Sequence, residues 1–176
     1  LENSVDAGAT QIQVEVIGAG RIAVSVTDNG KGMTPTDARL AFERHATSKL
    51  QRIEDLDQLK TMGFRGEALA AIAAVCQVEL LTRTAEQEVG TELIIEGTRV
   101  KSQTPIACPG GTTLKAKNIF YNTPGRRKHL EARKEATELN EIWREFSKVA
   151  LAHPSIAFSL RGAGKYDKLL PATSLK

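Results

Sequence analysis

The chain has 176 residues, of which 41% are hydrophobic and 26% charged, which suits one folded domain and excludes a disordered tail. Lys plus Arg number 24 against 21 Asp plus Glu, a surplus of 3, so nucleic-acid binding would need a local patch rather than overall charge. No apolar run is long enough to span a bilayer, no signal peptide is visible, and Cys76 and Cys108 have no zinc-type spacing, which suits a reducing compartment.

Leu1-Glu2-Asn3-Ser4 reads as the middle of an element, with no Met and no cap. Thr10 to Thr27 alternates apolar and polar residues on both sides of Gly18-Ala19-Gly20, which predicts a hairpin. Thr34-Pro35-Thr36-Asp37 opens a helix to about Phe42, with an N-cap, Pro at the first helical position and an acid in the first turn. After a polar stretch from Arg44 to Gln58, the Ala-rich run Glu67 to Cys76 reads as a buried helix. Gln77 to Thr84, Glu92 to Val100 and Thr112 to Ile119 read as strands, and Tyr121 to Arg127 as a loop with Pro124 and Gly125. Leu130 to Ala150 carries Leu139, Ile142, Trp143, Phe146 and Val149 at helical spacing. Ser155 to Leu160 and Lys165 to Leu170 read as a closing strand pair. The expected fold class is an α/β (α+β) two-layer sandwich, one mixed sheet covered by helices on a face.

Gly18-Ala19-Gly20-Arg21-Ile22-Ala23 matches the dinucleotide-binding fingerprint, but that fingerprint needs a helix after the glycines to hold the pyrophosphate. Here Arg21 to Val26 alternates with period two, so a Gly-rich hairpin turn is the better reading. No GxxxxGK[ST] run is present either. Four other segments offer parts of a nucleotide site. Asp28-Asn29-Gly30-Lys31-Gly32-Met33 supplies a carboxylate that could accept from an adenine amine, beside glycines that let backbone approach a base; it could equally be a tight turn. Arg44-His45-Ala46-Thr47-Ser48-Lys49 offers hydroxyls and a cation for phosphate, or is a solvated loop. Gly63-Phe64-Arg65-Gly66-Glu67 precedes a helix and could form a nest of N–H groups for phosphate, or simply begin that helix. Gly110-Gly111-Thr112-Thr113 could present a hydroxyl, or start a strand.

Taken together in this order, the segments resemble the GHKL ATPase superfamily with its Bergerat-type ATP-binding fold, and nearly the whole chain takes part. Longer runs resemble its MutL mismatch-repair branch: Glu2-Asn3-Ser4 with Asp6-Ala7-Gly8-Ala9-Thr10, Arg44 to Lys49, Gly63 to Leu69, and Phe120-Tyr121-Asn122-Thr123-Pro124 with Arg126-Arg127-Lys128. His129 stands where the family usually has Phe, a departure that touches packing more than chemistry.

The resemblance implies ATP and Mg²⁺ as ligands. It makes Asn3 the Mg²⁺ ligand through its amide oxygen. Asp28 is implied as the adenine reader, with Gly30, Gly32 and Met33 lining base and ribose. Thr47, Ser48 and Lys49 become the phosphate lid, and Gly63, Phe64, Arg65, Gly66, Glu67, Ala68 and Leu69 the phosphate cradle. Thr113 becomes the hydroxyl below the adenine. The family's general base is a Glu one helical turn before Asn3, which falls upstream of Leu1. Glu2 lies about 100° around a helix from Asn3 and does not replace it. No catalytic residue is therefore expected in this stretch, which reads as a partial module spanning residues 1–176, with its first helix incomplete and the following transducer-type domain absent. The intact protein is expected to hydrolyse ATP slowly, as a switch for dimerisation with itself or a MutL-type partner. Contacts with DNA and with a MutS-type mismatch sensor are also implied, in the cytoplasm of a bacterium or the nucleus of a eukaryote, with no membrane partner. Arg126, Arg127, Lys128, Arg133 and Lys134 form the one basic patch that could touch DNA phosphates, or a solvated surface.

Overall fold

The computed structural model describes residues 1–43 and 68–173. Among them, eight strands form one sheet: β1 (Gln11–Ile17), β2 (Ala23–Asp28), β3 (Gln77–Arg83), β4 (Gly90–Glu96), β5 (Arg99–Ile106), β6 (Gly111–Lys117), β7 (Ala157–Arg161) and β8 (Lys168–Leu170). Their spatial order is β5-β4-β3-β6-β2-β1-β7-β8, antiparallel throughout except for the parallel β1–β7 pair. The described helices are α1 (Glu2–Asp6), α2 (Pro35–Leu40), α3 (Ala68–Val75), α4 (Pro124–Ala132) and α5 (Glu135–Ala152).

Side chains alternate across a sheet, so register decides which of them share a face. Ile12, Val14 and Val16 stand opposite Asp28, Val26 and Val24 of β2, which in turn oppose Thr112, Leu114 and Ala116 of β6. The same rows continue through Thr82, Leu80 and Val78 of β3 to Thr91, Leu93 and Ile95 of β4. This produces one continuous apolar face. Its β1–β2–β7 half is covered by α5 through Phe146 and Ala150, and its β3–β4 half by Ala38 of α2 and Ala73 of α3. Phe146 and Phe158 meet edge to face at 6.0 Å and are 2% and 1% exposed. Truncating either costs about 3–5 kcal/mol, so this contact anchors α5 to the sheet. The opposite face is polar, with Lys117 paired to Glu79 at 2.7 Å and Gln77 bonded to Glu96 at 2.9 Å, as an antiparallel sheet with one face open to water allows. The two-layer α/β sandwich is the expected one.

Two elements differ from the sequence reading. The single strand expected over Glu92 to Val100 is the turn of a hairpin. Gly97 and Thr98 take φ values of 56° and 66°, and the chain returns as β5 at the sheet edge. Strand β5 has no fully buried residue and contains Pro105, so it carries little apolar alternation to read. The helix expected from Leu130 is two helices. Helix α4 begins inside the supposed loop, with Pro124 in its first turn, and extended backbone at Arg133 and Lys134 separates it from α5. No α4 residue is buried, so it has no apolar stripe.

Candidate nucleotide site

Asp28 ends β2, and the chain after it is fastened to the α1–β1 connection. The Asn29 side chain accepts the Thr10 and Gln11 N–H groups, both at 2.9 Å, and donates to the Thr10 hydroxyl at 2.9 Å. The Lys31 N–H donates to the Ala7 carbonyl at 3.0 Å. Gly30 lies so close that a Cβ there would stand 2.8 Å from the Ala7 Cβ. Helix α1 is therefore held beside Asp28. Leu1 and Val5 pack against the core, while Asn3 is on the exposed side. The Asp28 Oδ1 accepts the Gly30 N–H at 2.9 Å, an Asx turn that fixes the carboxylate. Among the described residues, no hydrogen bond engages its other oxygen.

Across the helix-covered face, Asp28 lies in one row with Thr112, Thr82 and Thr91. The Thr82 hydroxyl accepts the Met33 N–H at 2.9 Å, donates to the Gly111 carbonyl at 3.0 Å and lies 3.1 Å from the Thr112 hydroxyl. This register separates two adjacent hydroxyls. Thr113 faces the other way, its Oγ1 3.1 Å from that of Thr27 on the polar face, while Thr112 stands opposite Asp28 on the helix-covered face. Alternation by two residues makes adjacent threonines opposite in direction, a distinction that Gly-Gly-Thr-Thr alone does not reveal. The glycines of these segments are closely packed. A Cβ on Gly32 would stand 2.1 Å from the Arg83 carbonyl oxygen, and one on Gly111 would stand 2.1 Å from that of Asp28. Gly30, Gly32 and Gly111 thus allow close approach of neighbouring segments around Asp28.

Ala68 and Leu69 are the first described residues of α3. The expected lid residues Thr47, Ser48 and Lys49, and the cradle residues Gly63, Phe64, Arg65, Gly66 and Glu67, lie outside the described residues. At the other end of α3, the Phe120 N–H donates to the Val75 carbonyl at 2.7 Å and the Asn122 side chain to the Ala74 carbonyl at 2.8 Å. The Phe120-to-Pro124 run therefore satisfies the last carbonyls of α3, which helix termini leave open. In the basic patch, Arg127 pairs with Glu131 at 3.0 Å, Arg133 with Glu138 at 3.0 Å, and the Arg126 guanidinium lies 5.7 Å from the centre of the Phe120 ring. Phe120, Gly125, Arg126, His129, Leu130 and Arg133 line a shallow groove of about 300 Å³ there, apart from the Asp28 row. Sequence reasoning missed Thr82, Ala7 and Asn29 as parts of the site. The signal for Thr82 was present in its alternation with Val78 and Leu80 on a buried face.

A sequence profile for histidine kinase-, DNA gyrase B- and HSP90-like ATPases matches residues 1–118. The DNA mismatch repair protein MutL of Bacteroides fragilis is 52% identical over 176 residues, covering 100% of this chain and 28% of that protein. MutL of Porphyromonas gingivalis is 53% identical, with the same 100% and 28% coverage. The chain thus spans about 28% of the length of these relatives. Among solved structures, the Aquifex aeolicus MutL ATPase domain complexed with ADP superposes with a TM-score of 0.76 at 28% identity, over 99% of this chain and 61% of that one. The ATPase domain of the bacterial mismatch repair endonuclease Aquifex aeolicus MutL gives a TM-score of 0.70 at 26% identity, over 99% and 57%. Profile, relatives and fold agree with the mixed eight-stranded sheet, and the chain belongs to the histidine kinase-, DNA gyrase B- and HSP90-like ATPase family, on its MutL branch.

Proposed function

We propose that this chain is the ATP- and Mg²⁺-binding module of a MutL-type DNA mismatch-repair protein that hydrolyses ATP as a conformational switch. The observation that carries the reading is the Asp28 row: a carboxylate fixed by its Asx turn, in register with Thr112, with the Asn3 helix fastened alongside. That a MutL neighbour of the same fold was solved with ADP supports it. In this reading the Asp28 carboxylate accepts the adenine amine and Thr112 replaces Thr113 as the hydroxyl beside it. Gly30, Gly32 and Met33 shape the wall. The first amides of α3 at Ala68 and Leu69, with residues Gly63 to Glu67 before them, receive the phosphates, and Thr47, Ser48 and Lys49 cover them. The Asn3 amide suits Mg²⁺, a hard cation that takes oxygen ligands and keeps several waters and phosphate oxygens. Bound Mg²⁺ would neutralise charge developing on the transferred phosphoryl group.

In this reading the carboxylate that activates water lies one helical turn before Asn3. In the complete protein, nucleotide binding would favour pairing of two such modules in a homodimer or MutL-type heterodimer. That pairing would alter contacts with a MutS-type mismatch sensor and with DNA, the latter nonspecific and including the α4 cations. A cytoplasmic location, or a nuclear one in a eukaryote, fits that role. Among the described residues, no helix is long and apolar enough to cross a membrane.

Calorimetry of the full gene product with ADP and GDP, each with Mg²⁺ and with chelator, tests the reading. ADP should bind well ahead of GDP, because guanine presents a carbonyl where adenine has its amine. Equal affinities would sink the adenine assignment, and chelator-insensitive ADP binding would remove Asn3 and Mg²⁺ from the site.

A further inference from the structure

Thr82 is 1% exposed on a strand face where its neighbours Val78 and Leu80 are 1% and 0% exposed. A valine would fill the same space, so the hydroxyl has a polar task there. Its hydrogen bonds are complete: one proton goes to the Gly111 carbonyl, and two lone pairs receive the Met33 N–H and the Thr112 hydroxyl. The next residue grips the same two loops. The Arg83 carbonyl packs against Gly32, and its guanidinium donates to the Cys108 carbonyl at 2.8 Å and the Gln87 carbonyl at 2.6 Å. The end of β3 therefore ties the segment after Asp28 to the segment that opens β6. Those two segments carry Met33 and Thr112, the residues flanking Asp28 in the proposed site.

We propose that Thr82 is a positioning residue for adenine recognition, holding Met33 and Thr112 in register with Asp28 without touching the nucleotide. The proposal rests on the adenine-nucleotide reading above. Removing the hydroxyl leaves the part-buried Met33 N–H without this acceptor, takes a donor from the buried Gly111 carbonyl, and leaves the Thr112 hydroxyl without its fixed acceptor. The wall can recover only by moving, and an adenine contact tuned to Asp28 moves with it.

The test is calorimetry of ADP and GDP binding to the full gene product carrying Thr82→Val or Thr82→Ser. Thr82→Val should weaken ADP about ten-fold, equivalent to about 1.4 kcal/mol, and shrink the preference over GDP by a similar factor. Thr82→Ser keeps the hydroxyl and should hold both within about two-fold of the parent. A Thr82→Val protein with parental ADP affinity overturns the proposal. So does a loss shared equally by ADP and GDP, which marks a merely structural role, or a Thr82→Ser protein no better than Thr82→Val. If Thr82→Val does not fold, amide exchange in the parent decides. Coupling is reciprocal, so the Met33 N–H must exchange more slowly with ADP bound, and unchanged exchange overturns the proposal. A parent protein that binds no ADP overturns the functional reading itself, whereas parental binding with an indifferent Thr82→Val overturns Thr82 alone.

Discussion

Strand β2 has a glycine-rich segment at each end, and the two are built differently. Before the strand, Gly18, Ala19 and Gly20 take φ values of 59°, 52° and 83° in a 3-10 turn that leads straight into β2, paired antiparallel to β1. A Cβ on Gly20 would meet the ends of two side chains, Ile142 Cδ1 at 3.2 Å and Val24 Cγ2 at 3.3 Å. After the strand, the corresponding contacts are to backbone: Gly32 against the Arg83 carbonyl and Gly111 against that of Asp28, both at 2.1 Å. The first end matches a nucleotide-binding pattern in letters and is a turn. The second matches no such pattern and fixes a carboxylate. Glycine spacing alone therefore does not identify a site. The informative feature is whether glycines bring backbone against backbone around a functional group.

The largest test of that contrast is Gly111→Ala. The added methyl has no flexible neighbour to displace, and the φ of 110° is one that L residues rarely adopt. Stability should fall by more than about 3 kcal/mol in denaturant melts, with nucleotide binding lost alongside. A loss below about 1 kcal/mol would show that the approach of β6 to Asp28 yields easily. Asp28→Asn should act on binding instead, weakening ADP by about 1–3 kcal/mol in calorimetry while the melting curve stays near that of the parent. At the other end of β2, Gly20→Ala should cost about 1–2 kcal/mol of stability, the strain of a left-handed alanine, with ADP affinity unchanged. If Gly20→Ala weakened ADP, the distinction between the two ends would collapse.

The finest measurement uses the two thiols. Cys108 is half-buried in the loop gripped by Arg83, whereas Cys76 is 4% exposed and burial raises its pKa. A thiol reagent should therefore label Cys108 first and reach Cys76 only on unfolding, as peptide mapping of timed samples would show. The raised Cys76 pKa means the folded state favours the protonated thiol. Its contribution to stability is present below the ordinary thiol range and is lost as pH rises through and above it. Cys76→Ala should flatten that alkaline decline, and an unchanged decline would assign it to other groups.

Local chemistry wrote much of this molecule into its sequence. Period-two alternation placed β1, β2, β3 and β6, because a half-buried strand must alternate. Thr34 and Pro35 marked the start of α2, where the Thr34 hydroxyl accepts the Asp37 N–H. Asp28 by itself read equally as part of a tight turn, and the resemblance to the GHKL family is what gave it its expected role. Strand β5 and helix α4 were not legible, because neither buries a residue fully and so neither carries a periodic apolar signal. Thr112 could not be told from Thr113, since direction depends on register with β2 and β3, set by pairing between distant segments. The same holds for Thr82, Ala7 and Asn29. Their contacts span residues far apart in the chain, and only folding brings Met33, Gly111 and the Asp28 loop within hydrogen-bond range of them.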